Sequence, residues 1–192
     1  MPANKQLNRW IAFAIFGATV LQLAVATFAT GLPQFEGKAF GSRLVAYPLM
    51  MAALPGIWTL LERRNPRVVP VDWTAVAFVW APFLVDVTGN TADLYDSLAW
   101  WDDANHLVNW LLLCTGAGLI LRHVPSLRPW ELAVMVTGIG AILAILWELA
   151  EWYTFIRHGT ELATAYEDTL GDLALGTLGG LIAGLVLARR VR

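Results

Sequence analysis

Six apolar stretches of roughly membrane-spanning length dominate this sequence. They cover residues 10–30, 42–61, 71–88, 104–121, 130–152 and 169–188. A helix needs about 20 mostly apolar residues to cross about 30 Å of hydrocarbon. Hydrophobic residues make up 57% of the chain and charged residues only 15%, whereas soluble domains carry about 25% charged residues. The sequence therefore predicts an all-α, polytopic transmembrane bundle of six helices that forms a single integral domain, 1–192, in the lipid bilayer.

The positions of the basic residues predict how the six spans are oriented. Cytoplasmic segments of membrane proteins carry an excess of lysine and arginine. With the N-terminus in the cytoplasm, ten of the 13 basic residues fall on the cytoplasmic side: Lys5, Arg9, Arg63, Arg64, Arg67, Arg122, Arg128, Arg189, Arg190 and Arg192. The opposite side holds Lys38, Arg43 and Arg157. We therefore expect both termini to be cytoplasmic.

A short amphipathic segment separates spans three and four. Leu94, Leu98 and Trp101 share one helical face, and Asp93 and Asp96 lie off it. This pattern is typical of a short helix that lies in the membrane interface. We expect such a helix just before span four.

Acidic residues collect at the non-cytoplasmic end of the predicted bundle, which receives 12 of the 15. Several are paired at helical spacing near the ends of spans four, five and six, so they lie at a matching depth. Together with one histidine they form the predicted ligand set: Asp102, Asp103, His106, Glu148, Glu151, Asp168 and Asp172.

Helix capping explains only part of this set. Acidic residues favour helix N-termini, which accounts for Asp102, Asp103 and Asp168 without any function. Glu148 and Glu151 lie at the C-terminal end of span five, where negative charge is unfavourable. An ionised side chain in hydrocarbon costs at least about 2.5–3.5 kcal/mol on insertion scales, so such residues usually face a bundle interior and mark a site.

A stripe of small residues indicates which way the carboxylates of span six point. Asp168 and Asp172 continue into Gly176, Gly180 and Gly184 at a spacing of four residues. Small residues at this spacing form the face on which a neighbouring helix packs closely. We therefore expect both carboxylates to point into protein and not into lipid.

Two kinds of site would stabilise several carboxylates at close range. One is a divalent metal ion of open identity, held by carboxylates from facing helices and by an imidazole. The other is proton sharing in a relay or a coupled carrier. A haem held by His106 and His158 fits the spacing, but no other feature favours it. The residues expected beside the ligands are Asp86, Asn109, Arg157 and Tyr166.

Several function classes find no support in the sequence. It has no Walker loop, nucleophile elbow or nucleic-acid motif, so we expect no nucleic-acid partner. The single cysteine, Cys114, lies in an apolar run and cannot form an intrachain disulfide. These absences leave the acidic cluster as the main functional signal.

Three motifs resemble those of a known family. Trp101-Asp102-Asp103-x-x-His106, Trp147-Glu148-x-x-Glu151-Trp152 and Asp168-x-x-x-Asp172 occur in that order. They resemble the motifs of YjdF-type bacterial inner-membrane proteins and, more loosely, those of VanZ-like proteins. The resemblance covers roughly residues 86–188. This chain lacks the glutamine usual between the two late aspartates and the Gly-Asp before them.

The resemblance implies a multi-pass protein of the bacterial inner membrane and gives little indication of mechanism. Combined with the acidic cluster, it favours a metal-binding membrane protein that acts on a lipid or lipid-linked substrate. The alternatives are an accessory subunit with a membrane-protein partner, and a cation- or proton-coupled carrier. Whether the protein is an enzyme stays open.

Overall fold

The computed structural model describes residues 2–29, 31–65, 68–124, 126–157 and 160–190. These residues form helices and connecting turns, and no strand occurs among them. The chain divides into two compact units, Met1–Trp101 and Asp102–Arg192. Each unit is described by itself, and a single domain over the whole chain stays a prediction.

The first unit contains three long helices and one short one. The long helices are α1 (Pro2–Phe28), α2 (Phe40–Arg64) and α3 (Trp73–Thr91), and the short one is α4 (Leu94–Ser97). A 3₁₀ turn, Pro33–Phe35, lies between α1 and α2. Asp72 caps α3, because its Oδ1 accepts a hydrogen bond from the Thr74 amide at 2.9 Å.

Helix α3 packs against both α1 and α2. One contact cluster joins Ala12, Met51, Val76 and Trp80. The Trp80 indole also donates a 2.6 Å hydrogen bond to the Met51 carbonyl, so its polar atom is satisfied in this apolar setting. A second cluster, near the other end of the three helices, is formed by Leu23, Ala26, Phe40, Tyr47 and Val87.

The second unit is a three-helix unit built from α5 (Trp101–Leu121), α6 (Pro129–Glu151) and α7 (Ala165–Ala188). A five-residue π-helix, Trp152–Ile156, extends α6, and a 3₁₀ turn, Thr160–Ala163, precedes α7. The three helices share one apolar core: Cys114, Leu132, Val136, Ala183 and Leu187. Helix α5 starts at the last residue of the first unit.

Glycines bring α7 into backbone contact with its neighbours, as the stripe on span six predicted. A Cβ on Gly140 would lie 3.1 Å from the Gly180 Cα, and one on Gly184 would lie 2.8 Å from the Ala133 carbonyl. Gly179 faces α5 instead, where a Cβ would lie 2.7 Å from the Leu107 carbonyl oxygen. Because only glycine fits at such distances, these positions hold α7 against both α5 and α6.

Each of the six predicted spans overlaps one helix, although α1 begins at Pro2, well before the predicted start at residue 10. Within the described residues, five helices are long and apolar enough to cross a membrane, and α3 is not one of them. Helix α3 has 19 residues but carries polar side chains near its C-terminal end, including Asp86 and Asn90. The count of six spans is therefore not confirmed. Helix α4 occurs where the interfacial helix was expected, although its place at an interface stays a prediction.

Candidate metal centre

Three helix ends meet at one end of the second unit. The first turns of α5 carry Asp102 and His106, the last turn of α6 carries Glu148 and Glu151, and the second turn of α7 carries Asp172. The glycine contacts between the helices set their spacing, so side chains from three separate elements point into one volume.

His106 is at the centre of this volume. The residue is 7% exposed, and its Nδ1 is buried with no hydrogen-bond partner. Nδ1 lies 3.6 Å from Asp172 Oδ1, and Nε2 lies 3.8 Å from Asp102 Oδ1. Both separations exceed the 2.7–3.2 Å of an N–H···O hydrogen bond.

The separation between His106 Nδ1 and Asp172 Oδ1 suits two ligands of one metal ion. Metal–nitrogen and metal–oxygen bonds of about 2.0–2.2 Å, at the tetrahedral angle, place two ligand atoms roughly 3.3–3.6 Å apart. The Nδ1–Oδ1 distance of 3.6 Å between His106 and Asp172 is close to that range. A buried, unpartnered imidazole nitrogen that faces a carboxylate at this distance has the chemistry of a metal ligand.

Two groups of three side chains bring their ligand atoms within 4.8 Å of one another. The first group contains Asp102, His106 and Asp172, and the second contains His106, Glu148 and Glu151. His106 belongs to both groups. The structure thus brings four of the six predicted carboxylate ligands around the imidazole of His106.

Two of the carboxylates are almost fully buried. Glu148 is 6% exposed and Asp172 is 3% exposed. The Thr169 side chain lies beside Glu148. Within the described ranges, no lysine or arginine forms an ion pair with either carboxylate. Burial of two acids without a cationic side chain favours either a bound cation or protonated carboxyl groups.

The other two predicted ligands lie on the surface. Asp103 and Asp168 are both exposed, and neither belongs to a group whose ligand atoms lie within 4.8 Å. The expectation that both carboxylates of α7 point into protein is therefore correct for Asp172 and wrong for Asp168. Helical geometry explains the difference for Asp103, since adjacent residues on a helix point about 100° apart. A ligand role for these two residues stays a prediction.

The four residues expected beside the ligands each have different contacts in the structure. Asn109 donates a 2.8 Å hydrogen bond to Asn105, while its own Oδ1 is buried without a partner. The Arg157 guanidinium lies 3.7 Å from the centre of the Tyr153 ring. Tyr166 is exposed.

Asp86, the fourth of these residues, belongs to the first unit. Its Oδ2 accepts hydrogen bonds from Arg43 at 2.9 Å and from Tyr47 at 2.7 Å. Its Oδ1 accepts from Asn90 and Tyr95, both at 3.1 Å. These four donors within its own unit satisfy the carboxylate, and a role beside the cluster stays a prediction. His158 lies outside the described residues.

Sequence reasoning missed three features of the site. Asn105 is buried beside His106, and its spacing of three residues from Asp102 would have placed it on the same face. Thr169 follows Asp168 directly and contacts Glu148. The π-helix after Glu151 had no sequence signal, although such segments often occur at functional sites.

The fold and the cluster together define a class: a helical, multi-pass membrane protein with a buried acidic and histidine site. Comparison with protein families assigns it more narrowly. Residues 17–192 match the family described as predicted membrane protein (DUF2238), and the chain belongs to that family. This match confirms the resemblance to YjdF-type membrane proteins of unknown function. No curated protein and no solved structure matches the chain.

Proposed function

We propose that the second unit binds one divalent metal ion through His106 and the carboxylates around it. The observation that carries this proposal is the buried Nδ1 of His106, unpartnered and 3.6 Å from Asp172 Oδ1. A cation would neutralise the buried charge of Asp172 and Glu148 and would give the imidazole nitrogen its missing partner. The mixed oxygen and nitrogen ligands suit manganese, iron or zinc.

Elemental analysis of the purified full-length protein tests the metal. We expect about one equivalent of a divalent transition metal in the wild type, and a near-complete loss in His106→Ala. His123→Ala is the matched control, because His123 is exposed and lies just after the end of α5. Absence of metal from the wild type, also after dialysis against Mn²⁺, Fe²⁺ or Zn²⁺, would overturn the proposal.

We also propose a membrane arrangement that determines on which side of the membrane this site lies. Six spans with both termini cytoplasmic, in a bacterial inner membrane, put the start of α5, the end of α6 and the start of α7 on the outer side. The positive-inside distribution supports this arrangement, because it leaves ten of 13 basic residues inside. The metal would then lie near the outer head groups.

A metal at that depth suits chemistry on a lipid or a lipid-linked substrate. A bound divalent ion polarises phosphoryl and carbonyl oxygens and lowers the pKa of its water, which makes hydrolysis accessible. Lipid profiles of membranes that contain wild-type protein or Asp172→Asn test this part. We expect one lipid class to accumulate in the variant. Identical profiles would contradict the proposal of a lipid substrate and would not affect the proposal of a metal site.

A further inference from the structure

An apolar groove of about 600 Å³ lies in the first unit, far along the chain from the acidic cluster. Helices α1, α2 and α3 all contribute to its walls, which include Phe13, Phe16, Leu60, Trp73 and Trp80. The volume falls within the range of about 300–1,000 Å³ that small-molecule sites usually have. The lining is mainly aromatic and aliphatic, so the groove suits a hydrocarbon chain.

Helix α2 contributes Pro55 and Gly56 to the wall of the groove. This helix contains Pro48 and Pro55 in its interior, and an interior proline removes a backbone hydrogen bond and bends the helix. Gly56, which follows directly, also lines the groove. A Cβ added at Gly56 would meet no atom within 4 Å. A side chain at this position would therefore enter open space.

One end of the groove is cationic. Arg63, in the last turn of α2, is part of its lining. The Arg9 guanidinium lies 5.4 Å from the centre of the Trp73 ring and 5.6 Å from that of Phe13, two other lining residues. Both arginines are exposed, and neither forms an ion pair with any described residue. Two guanidinium groups thus lie at one end of the apolar groove, with no ion-pair partner among the described residues.

We propose that this groove is a binding site for one anionic phospholipid, with an acyl chain along the aromatic wall and the phosphate at Arg9 and Arg63. Helices α1 and α2 are candidate membrane spans, so lipid is the molecule that reaches a groove between them. Guanidinium groups bind phosphate in a bidentate manner, and basic residues at the end of a span attract anionic lipids. The arginines at one end of the groove match the phosphate of such a lipid, and the apolar wall matches its acyl chain.

Native mass spectrometry of the full chain tests this site, with phosphatidylglycerol as the probe and phosphatidylcholine as the neutral comparison. We expect the wild type to retain one phosphatidylglycerol in preference to phosphatidylcholine. The double variant Arg9→Gln, Arg63→Gln should bind phosphatidylglycerol about tenfold more weakly, or worse. Arg189→Gln removes a charge from the second unit and should bind as the wild type does.

A pair of glycine variants tests the groove itself. Gly56→Leu places a side chain in the open space and should weaken binding of phosphatidylglycerol. Gly17→Leu is its control, because a Cβ at Gly17 also meets nothing within 4 Å and Gly17 is not part of the lining. Equal retention of both lipids by the wild type, or unchanged binding in the arginine double variant, would overturn the proposal. If Gly56→Leu proves unstable, the double variant alone decides.

Discussion

Asp168 and Asp172 lie one turn apart on α7 and have different surroundings. Asp172 is 3% exposed and faces His106, whereas Asp168 is exposed. Replacing either by asparagine keeps the size of the side chain and removes its charge. We expect Asp172→Asn to weaken binding of Mn²⁺ or Zn²⁺ by more than tenfold, since even residues behind a metal ligand contribute about 10–100-fold. Asp168→Asn should stay within about twofold of the wild type.

Isothermal titration calorimetry on the metal-depleted variants measures the affinity of each for Mn²⁺ or Zn²⁺. A melting temperature close to that of the wild type shows that each variant is folded. If the two variants lose the same affinity, Asp172 has no special role and the site is a diffuse acidic surface.

The candidate ligands were partly predictable because helical spacing is regular. His106 and Asp102 are four residues apart and so share one helix face. The glycine stripe of α7 predicted that Asp172 points into protein. The sequence could not choose between Asp102 and Asp103, because the choice depends on how α5 is rotated about its axis. That rotation is set by contacts such as the one between Gly179 and the backbone of α5.

Lys38 forms the main described ion pairs outside the predicted spans. Its Nζ lies 2.8 Å from Asp93 Oδ1 and 2.5 Å from Asp96 Oδ2. The hydrogen bond from Lys38 lowers the pKa of Asp96 below its usual value of 3.8. A lowered carboxyl pKa contributes stability above the unfolded pKa, and this contribution is lost as the pH falls through the folded pKa.

We therefore expect the wild type to be slightly more stable than Asp96→Asn at pH 6. The difference should be under about 1 kcal/mol, because Asp96 is exposed and solvent screens the pair. Below about pH 4 the difference should shrink toward zero. Melting curves of the two proteins between pH 3 and 7 measure it. A difference that grows on acidification would contradict the assignment.

At the scale of helices, α6 and α7 pack closely through glycines. A Cβ on Gly140 would lie 2.9 Å from the Cys114 sulfur and 3.1 Å from the Gly180 Cα. Gly138, two residues earlier on α6, has no such neighbour within 4 Å. We expect Gly140→Leu to destabilise the protein by about 1–3 kcal/mol or more, because overpacking separates the helices.

Gly138→Leu is the control, and it should melt within a degree or two of the wild type. Thermal unfolding in detergent, followed by size-exclusion chromatography, measures both variants. Because α6 and α7 carry four of the candidate ligands between Glu148 and Asp172, Gly140→Leu should also lose metal. A Gly140→Leu protein as stable as the control would show that the two helices do not pack as described.

The positions of the helices followed from hydropathy, since each apolar run of about 20 residues became one helix. The face that each helix buries did not follow from hydropathy. The buried positions of α6 are Leu132, Val136, Gly140, Ala144 and Glu148. The residues of α6 that are buried are those that face the glycines of α7. The sequence of α6 alone does not show which residues these are.

For the whole molecule, α3 determines how many times the chain crosses the membrane. Its 19 residues span about 28 Å at 1.5 Å per residue, close to the hydrocarbon thickness. Its polar residues Asp86 and Asn90 are not exposed to lipid, because Asp86 is bonded to Arg43 and Tyr47 and Asn90 is buried. A helix that buries its polar groups against neighbours can span a membrane at a modest mean hydropathy.

The basic residues distinguish six spans from five. With six spans and a cytoplasmic N-terminus, ten basic residues lie inside and three outside. If α3 does not cross, all later segments change sides. Lys5, Arg9, Arg63, Arg64, Arg67 and Arg157 then lie inside, and the remaining seven lie outside. That distribution violates the positive-inside rule, so we expect six spans.

Reporter fusions at the C-terminus distinguish six spans from five, because an even number of spans returns the chain to the side on which it began. Six spans return the chain to the cytoplasm, so a fluorescent protein fused after Arg192 should fluoresce and an alkaline phosphatase there should be inactive. A second pair of fusions after Ser97 should give the opposite result, because that position follows α3. Active phosphatase at the C-terminus would mean five spans. It would also place the start of α5, and with it His106, on the cytoplasmic side, where an outer-leaflet lipid could not reach the proposed metal.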